Sequence, residues 1–129
     1  MSRTSFEKLL VYQLAEEISD LAWQAARDWD KMAQDTVGKQ LIISADNIGA
    51  HIAEGAGRSS YAENKKFAKM ARGYLFEVKH WLRTAQKREL LSEDQMSSFW
   101  ELIDQLMPKL GAYINSIGKT GENQHLTTH

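Results

Sequence analysis

His51 and Glu54 stand three residues apart, so a helix carrying them presents both on one side. A histidine beside a carboxylate is half of a metal site or of a proton-transfer pair. A catalytic centre needs further polar groups converging on that pair, and none is identifiable. Glu54 also lies four residues before Arg58, the spacing of an ion pair that fastens a helix end. Glu77-Val78-Lys79-His80 matches the E-x-x-H pattern of di-iron helical bundles. That chemistry requires a second copy on another bundle helix and two more inward carboxylates, and the chain's other match, Glu122 to His125, falls beyond the fourth helical segment. Glu77 is therefore expected as a structural acid near the interior. Gly55 and Gly57 lack the spacing and the Lys-Ser/Thr ending of a phosphate loop. No Cys occurs, which removes disulfides, thiolate catalysis and Cys-based zinc sites. No catalytic, cofactor-binding or metal-binding residue is assigned, and a non-enzyme is expected.

The clearest hint of a ligand is a charge pattern. Lys65, Lys69, Arg72, Lys79, Arg83 and Lys87 fall within about 80° of one another on a helical wheel, with no acid among them. Between Arg58 and Leu90 nine Lys or Arg face only Glu63, Glu77 and Glu89, a net of +6; the rest of the chain carries −7. The formal total of −1 hides this separation. A basic stripe holds a phosphate backbone by releasing counterions, so RNA or DNA is an expected partner. A solvated helix face, or pairing with the acidic first helix of a neighbouring subunit, are the alternatives.

These residues need helices to carry them. At 129 residues the chain is the size of one domain, and 43% hydrophobic content supports a packed core. No apolar run approaches the roughly 20 residues of a membrane helix and no signal peptide is evident, so a soluble cytoplasmic protein is expected. A single Pro and little β-branched alternation argue against a sheet.

Helical periodicity marks four segments. Residues 5–29 carry Leu10, Leu14, Ile18, Leu21, Ala25 and Trp29, and residues 36–54 carry Val37, Leu41, Ala45, Ile48 and Ile52. Residues 61–90 place Phe67, Met70, Tyr74, Val78, Trp81, Leu82 and Ala85 on one face; residues 93–117 follow with Met96, Phe99, Trp100, Ile103, Leu106, Met107, Leu110 and Ile114. Ser60 with Glu63, and Ser92 with Gln95, have capping-box spacing, and Gly55 and Gly57 suit a left-handed helix ending. Pro108 should bend the last helix. The expected fold is all-α: an antiparallel up-and-down four-helix bundle over residues 1–117, with a flexible tail over 118–129.

Two strips lie off these stripes. Tyr12 and Trp23, eleven residues apart, return to within about 20° of each other. Ile42, Gly49 and Ala53 form a small, apolar strip on the second helix. Both are candidates for a subunit interface, against the alternative of scattered surface hydrophobes.

The stretch His51-Ile52-Ala53-Glu54-Gly55-Ala56-Gly57-Arg58-Ser59-Ser60-Tyr61-Ala62-Glu63 resembles the N-I-A-E-G-x-G-R-S-x-x-E signature of the bacterial four-helix-bundle proteins encoded inside 23S rRNA intervening sequences. Phe6, Leu9, Tyr12, Gln13 and Ala15, then Gln40, Leu41 and Ile48, then Ala71, Gly73, Leu75 and Glu77 extend the likeness from about Phe6 to Ile117. His51 stands where that family usually has Asn, and Ile42, Ile43 and Tyr74 also depart from its habit. The resemblance implies a homopentameric ring around a central channel, and a distant branch serves as the accessory protein of diversity-generating retroelements. It names a fold and not an activity. The partners expected are a further copy of the chain and RNA or DNA, with no membrane and no small-molecule substrate; a protein-binding adaptor is the alternative, and a metal-dependent enzyme a third.

Overall fold

The computed structural model describes residues 5–119. Four long helices form, α1 (Leu10–Ala26), α2 (Lys39–Ala56), α3 (Tyr61–Lys87) and α4 (Glu93–Ser116), with no strand among the described residues. The chain is an all-α four-helix bundle. The tail expected from Gly118 onward lies, past Lys119, outside the described residues.

The ends of the helices follow from local chemistry. A short 3-10 turn over Ser5–Lys8 leads into α1, which stops at Ala26 and not near residue 29. Its last carbonyls find an unexpected partner: the Gln34 amide donates to the oxygens of Ala26 at 3.1 Å and Arg27 at 2.9 Å. Asp30 caps a single turn, Lys31–Ala33, by accepting from the Ala33 N–H at 3.0 Å. That turn widens into a π-helical one over Gln34–Gly38 before α2 proper begins. Helical backbone therefore starts at Lys31, earlier than the apolar periodicity indicated. The full capping box forms at α4, where Ser92 Oγ accepts from the Gln95 N–H at 3.1 Å and Gln95 Oε1 from the Ser92 N–H at 2.9 Å. At α3, Ser60 Oγ accepts from the Glu63 N–H at 3.1 Å. Pro108 sits at an exposed position inside α4, and the helix runs on to Ser116. Asp104, whose carbonyl Pro108 leaves without a backbone donor, is itself at an exposed position.

Each helix packs on two neighbours. α1 and α3 each touch α2 and α4, so they occupy opposite corners of the bundle. Contacts descend α2 as they ascend α3: Gly55 lies against Asn64 and Phe67, His51 against Phe67 and Tyr74, and Ser44 reaches Glu77.

The core differs from the expected stripes in its rotation. On α1 the buried set is Val11, Leu14, Ala15, Ile18, Ala22, Ala25 and Ala26, while Leu10 and Leu21, and Trp29 just past the helix, are half-buried. On α3 it is Asn64, Ala68, Ala71, Leu75, Val78, Leu82 and Ala85; Phe67, Tyr74 and Trp81 lie at the seams and Met70 is exposed. Small residues take the closest line between helices, and bulky ones are turned to the edges where space remains.

Tyr113 is a cost carried by this core. Its hydroxyl and the Asn64 Oδ1 are both buried without a hydrogen-bond partner. Burial pushes the Tyr113 phenol above its ordinary 10.0, and the neighbouring Asn64 side chain, close by but not in a geometrically formed hydrogen bond, acts against that rise. Tyr12 is raised as well, by burial first and the Glu16 charge next. A raised phenol contributes stability that is complete below about pH 10 and is lost as pH climbs through the folded-state value. Urea melts from about pH 8 to pH 11 should therefore show an alkaline loss that Tyr113→Phe flattens, with neutral-pH stability near wild type. An equally steep loss in Tyr113→Phe would show that this phenol is not its source.

Candidate nucleic-acid interface

α3 has 27 residues, long enough to display six cations along about 33 Å between Lys65 and Lys87. Lys69, Arg83 and Lys87 are exposed; Lys65, Arg72 and Lys79 are half-buried, their stems lying along the helix surface. Ion pairs among the described residues join Lys31 to Asp35 and Arg58 to Glu54, and none involves the stripe. Among the described residues, no acid neutralises the stripe. The exposed acids Glu16, Glu17 and Asp20 belong to α1, at the opposite corner.

The structure adds a residue to the stripe that sequence reasoning missed. Phe76 is 55% exposed, and Lys79 Nζ sits 5.4 Å from its ring centroid and 5.8 Å from that of Trp100 on α4. The signal was present in the spacing, since position 76 is eleven residues after Lys65 and seven before Arg83. A count of charges on that face does not register an aromatic ring.

The corner between α2 and α3 is built for fastening. Arg58 reaches Glu54 at 2.5 Å and lies 4.8 Å over the Phe67 ring, tying the end of α2 to α3. His51 Nδ1 is 2.8 Å from the Asn47 carbonyl, which places a proton on Nδ1, and its ring stacks at 4.8 Å on Tyr74 and 6.1 Å on Phe67. His51 and Glu54 are therefore each engaged with other groups. Glu77 is exposed and not interior, accepting at 3.2 Å from the hydroxyl of buried Ser44. His80 packs edge-on against Trp81 at 4.7 Å. No group of three or more His, Asp or Glu able to hold a metal occurs among the described residues.

Positive φ, expected at Gly55 or Gly57, is found at neither. It falls at Gly118 (84°) and at Glu89 (58°), where the Leu90 N–H returns to the Ala85 carbonyl at 2.9 Å and closes α3. The α2 end closes instead with right-handed geometry, Gly57 having φ −84°, ψ −3°. Gly55 matters for another reason. A Cβ there would lie 2.7 Å from Asn64 Oδ1 and 2.9 Å from Phe67 Cβ, so the glycine lets α3 approach. At Gly57 the nearest atoms would be 3.6 Å away, an ordinary contact.

The interface strips are divided. Gly49 is buried inside the protomer, 3.5 Å from the Tyr12 ring at its would-be Cβ, and Tyr12 also meets Phe6 edge-on at 5.0 Å. These two residues are used within the bundle because α1 is rotated toward α2. Ile42 and Ala53 are half-buried. Trp23 stays 60% exposed beside a cavity of about 310 Å³ that Ile42, Lys39, Gln34 and Arg27 also line.

The family model described as 23S rRNA-intervening sequence protein matches residues 7–112. Comparison with curated proteins returned no match.

The two corner glycines should separate cleanly. Gly55→Ala forces overpacking against Asn64 and Phe67 and should cost about 1 to 3 kcal/mol. Gly57→Ala should be neutral or stabilising by up to about 1 kcal/mol. Equal costs in chemical denaturation would refute the close-approach account.

Proposed function

The chain belongs to the 23S rRNA-intervening sequence protein family, and we propose that it is a non-catalytic, self-associating protein that binds RNA or DNA along α3. The observation that carries this reading is the set of six cations on one face of α3 without an ion pair among the described residues. Charges left unpaired in the fold keep counterions that a phosphate backbone can displace. A non-catalytic role is supported by the engagement of the polar candidates elsewhere: His51 with Asn47, Glu54 with Arg58, Glu77 with Ser44.

Self-association is supported by Trp23, a large apolar surface left in solvent beside a cavity. A pentameric ring is the assembly that the family resemblance implies. In such a ring the stripe must stay open to serve nucleic acid; if it is covered by the acids of a neighbouring α1, the molecule works as a protein-binding adaptor.

Both parts have direct tests. The wild type should retain RNA or single-stranded DNA at low salt and release it as salt rises. In a Lys69→Gln/Arg72→Gln/Arg83→Gln variant each lost phosphate contact should lower the log-log salt slope by roughly 0.7 to 0.9. Equal retention by the two proteins, or none by either, would leave the adaptor as the better account.

Light scattering should give a multiple of the protomer mass, and Trp23→Glu should reduce it while circular dichroism keeps its helical signal. A wild-type monomer would end the self-association reading.

A further inference from the structure

The outer face of α3 carries more than charge. Phe76 lies within about 20° of both Lys65 and Arg83 around the helix, at the middle of the basic stripe, with about half of its surface in solvent. Burial does not explain an exposed Phe, since the core of α3 is complete without it. Lys79 occupies one face of the ring and also approaches Trp100, holding its ammonium at the stripe and bracing the phenyl group. The other ring face has no aromatic or cationic partner among the described residues.

Gly73, one turn earlier, adds to this. Glycine inside a helix weakens it relative to alanine, and a Cβ at Gly73 would meet nothing within 4 Å. Packing in the protomer therefore does not require the glycine, and its effect is to leave the flank of Phe76 free of side chain. A flat group can lie there against the ring while cations stand on either side.

We propose that α3 recognises an unpaired nucleic-acid strand, with Phe76 stacking one base and Lys69, Arg72, Lys79 and Arg83 holding the flanking phosphates. This rests on the reading of α3 as a nucleic-acid surface and deepens it. Every base has a π-face, so stacking is tolerant of sequence, but the face is available only in a strand that is not paired. A duplex offers the stripe phosphates alone. The arrangement thus prefers single strands over duplexes without selecting a sequence.

The test is fluorescence anisotropy with a labelled 15-nucleotide oligouridylate, the matching oligothymidylate and a 15-base-pair RNA duplex, each across a salt series. Wild type should bind both single strands more tightly than the duplex. Phe76→Ala should weaken the single strands about 5- to 150-fold and leave duplex affinity and the salt slope unchanged, because no phosphate contact is lost. Phe76→Trp should restore single-strand affinity. Gly73→Leu, which fills the flank, should weaken single strands as well, and Arg83→Gln should lower the salt slope for all three probes by roughly 0.7 to 0.9. Unchanged circular dichroism and thermal melts confirm that the exposed substitutions leave the fold intact. Salt-dependent binding with Phe76→Ala equal to wild type, or with the duplex bound as tightly as the single strands, overturns the stacking role and leaves the phosphate-binding reading standing. Absence of binding to any probe overturns both.

Discussion

Close approach of α2 and α3 at Gly55 is the constraint from which the rest of the surface follows. Asn64 Oδ1 and Phe67 Cβ occupy the space a side chain at position 55 would need. With the helices that near, only Ala68, Ala71, Leu75 and Val78 suit the central line of α3, and Phe67 and Tyr74 are turned to the seam against His51. That rotation fixes which residues of α3 look outward. The cations and Phe76 are among the residues so turned.

Number, type and approximate bounds of the long helices were legible because periodicity, capping serines and helix length are local properties of the sequence. The basic stripe was legible for the same reason, since angular position depends only on residue count. Rotation was not legible. A wheel weights Met70 and Tyr74 as strongly apolar and Ala68 and Ala71 as weakly so, whereas packing rewards the small residue wherever two helices nearly touch. Tyr12 and Gly49 were placed on outer strips by the same weighting, and the structure uses them against each other. The corner glycines were misjudged for a related reason. A glycine near a helix end suggests left-handed backbone, but its other property, the missing Cβ, is the one used at position 55. Glu89 takes the left-handed position, and no sequence preference announces that.

Polar groups at the helix junctions show how few side chains hold the elements in place. Gln34 satisfies the last carbonyls of α1, Arg58 joins the end of α2 to Phe67, and Ser92 with Gln95 opens α4. Each acts where backbone groups would otherwise lack partners or where helices must keep a fixed angle. At the corner between α2 and α3, His51 is held by the Asn47 carbonyl and Glu54 by Arg58.

Placement of α1 and α3 at opposite corners has an electrical consequence. Exposed Glu16, Glu17 and Asp20 stand on one of these helices and the cations on the other, in a protomer whose formal charge is only −1. Such a particle has almost no monopole, while the acids of α1 and the cations of α3 contribute a dipole component directed across the bundle. Near a polyanion it experiences torque before it experiences net attraction, and it turns α3 toward the source within about a Debye length, roughly 8 Å at physiological salt. Orientation, more than accumulation, is what this charge arrangement supplies.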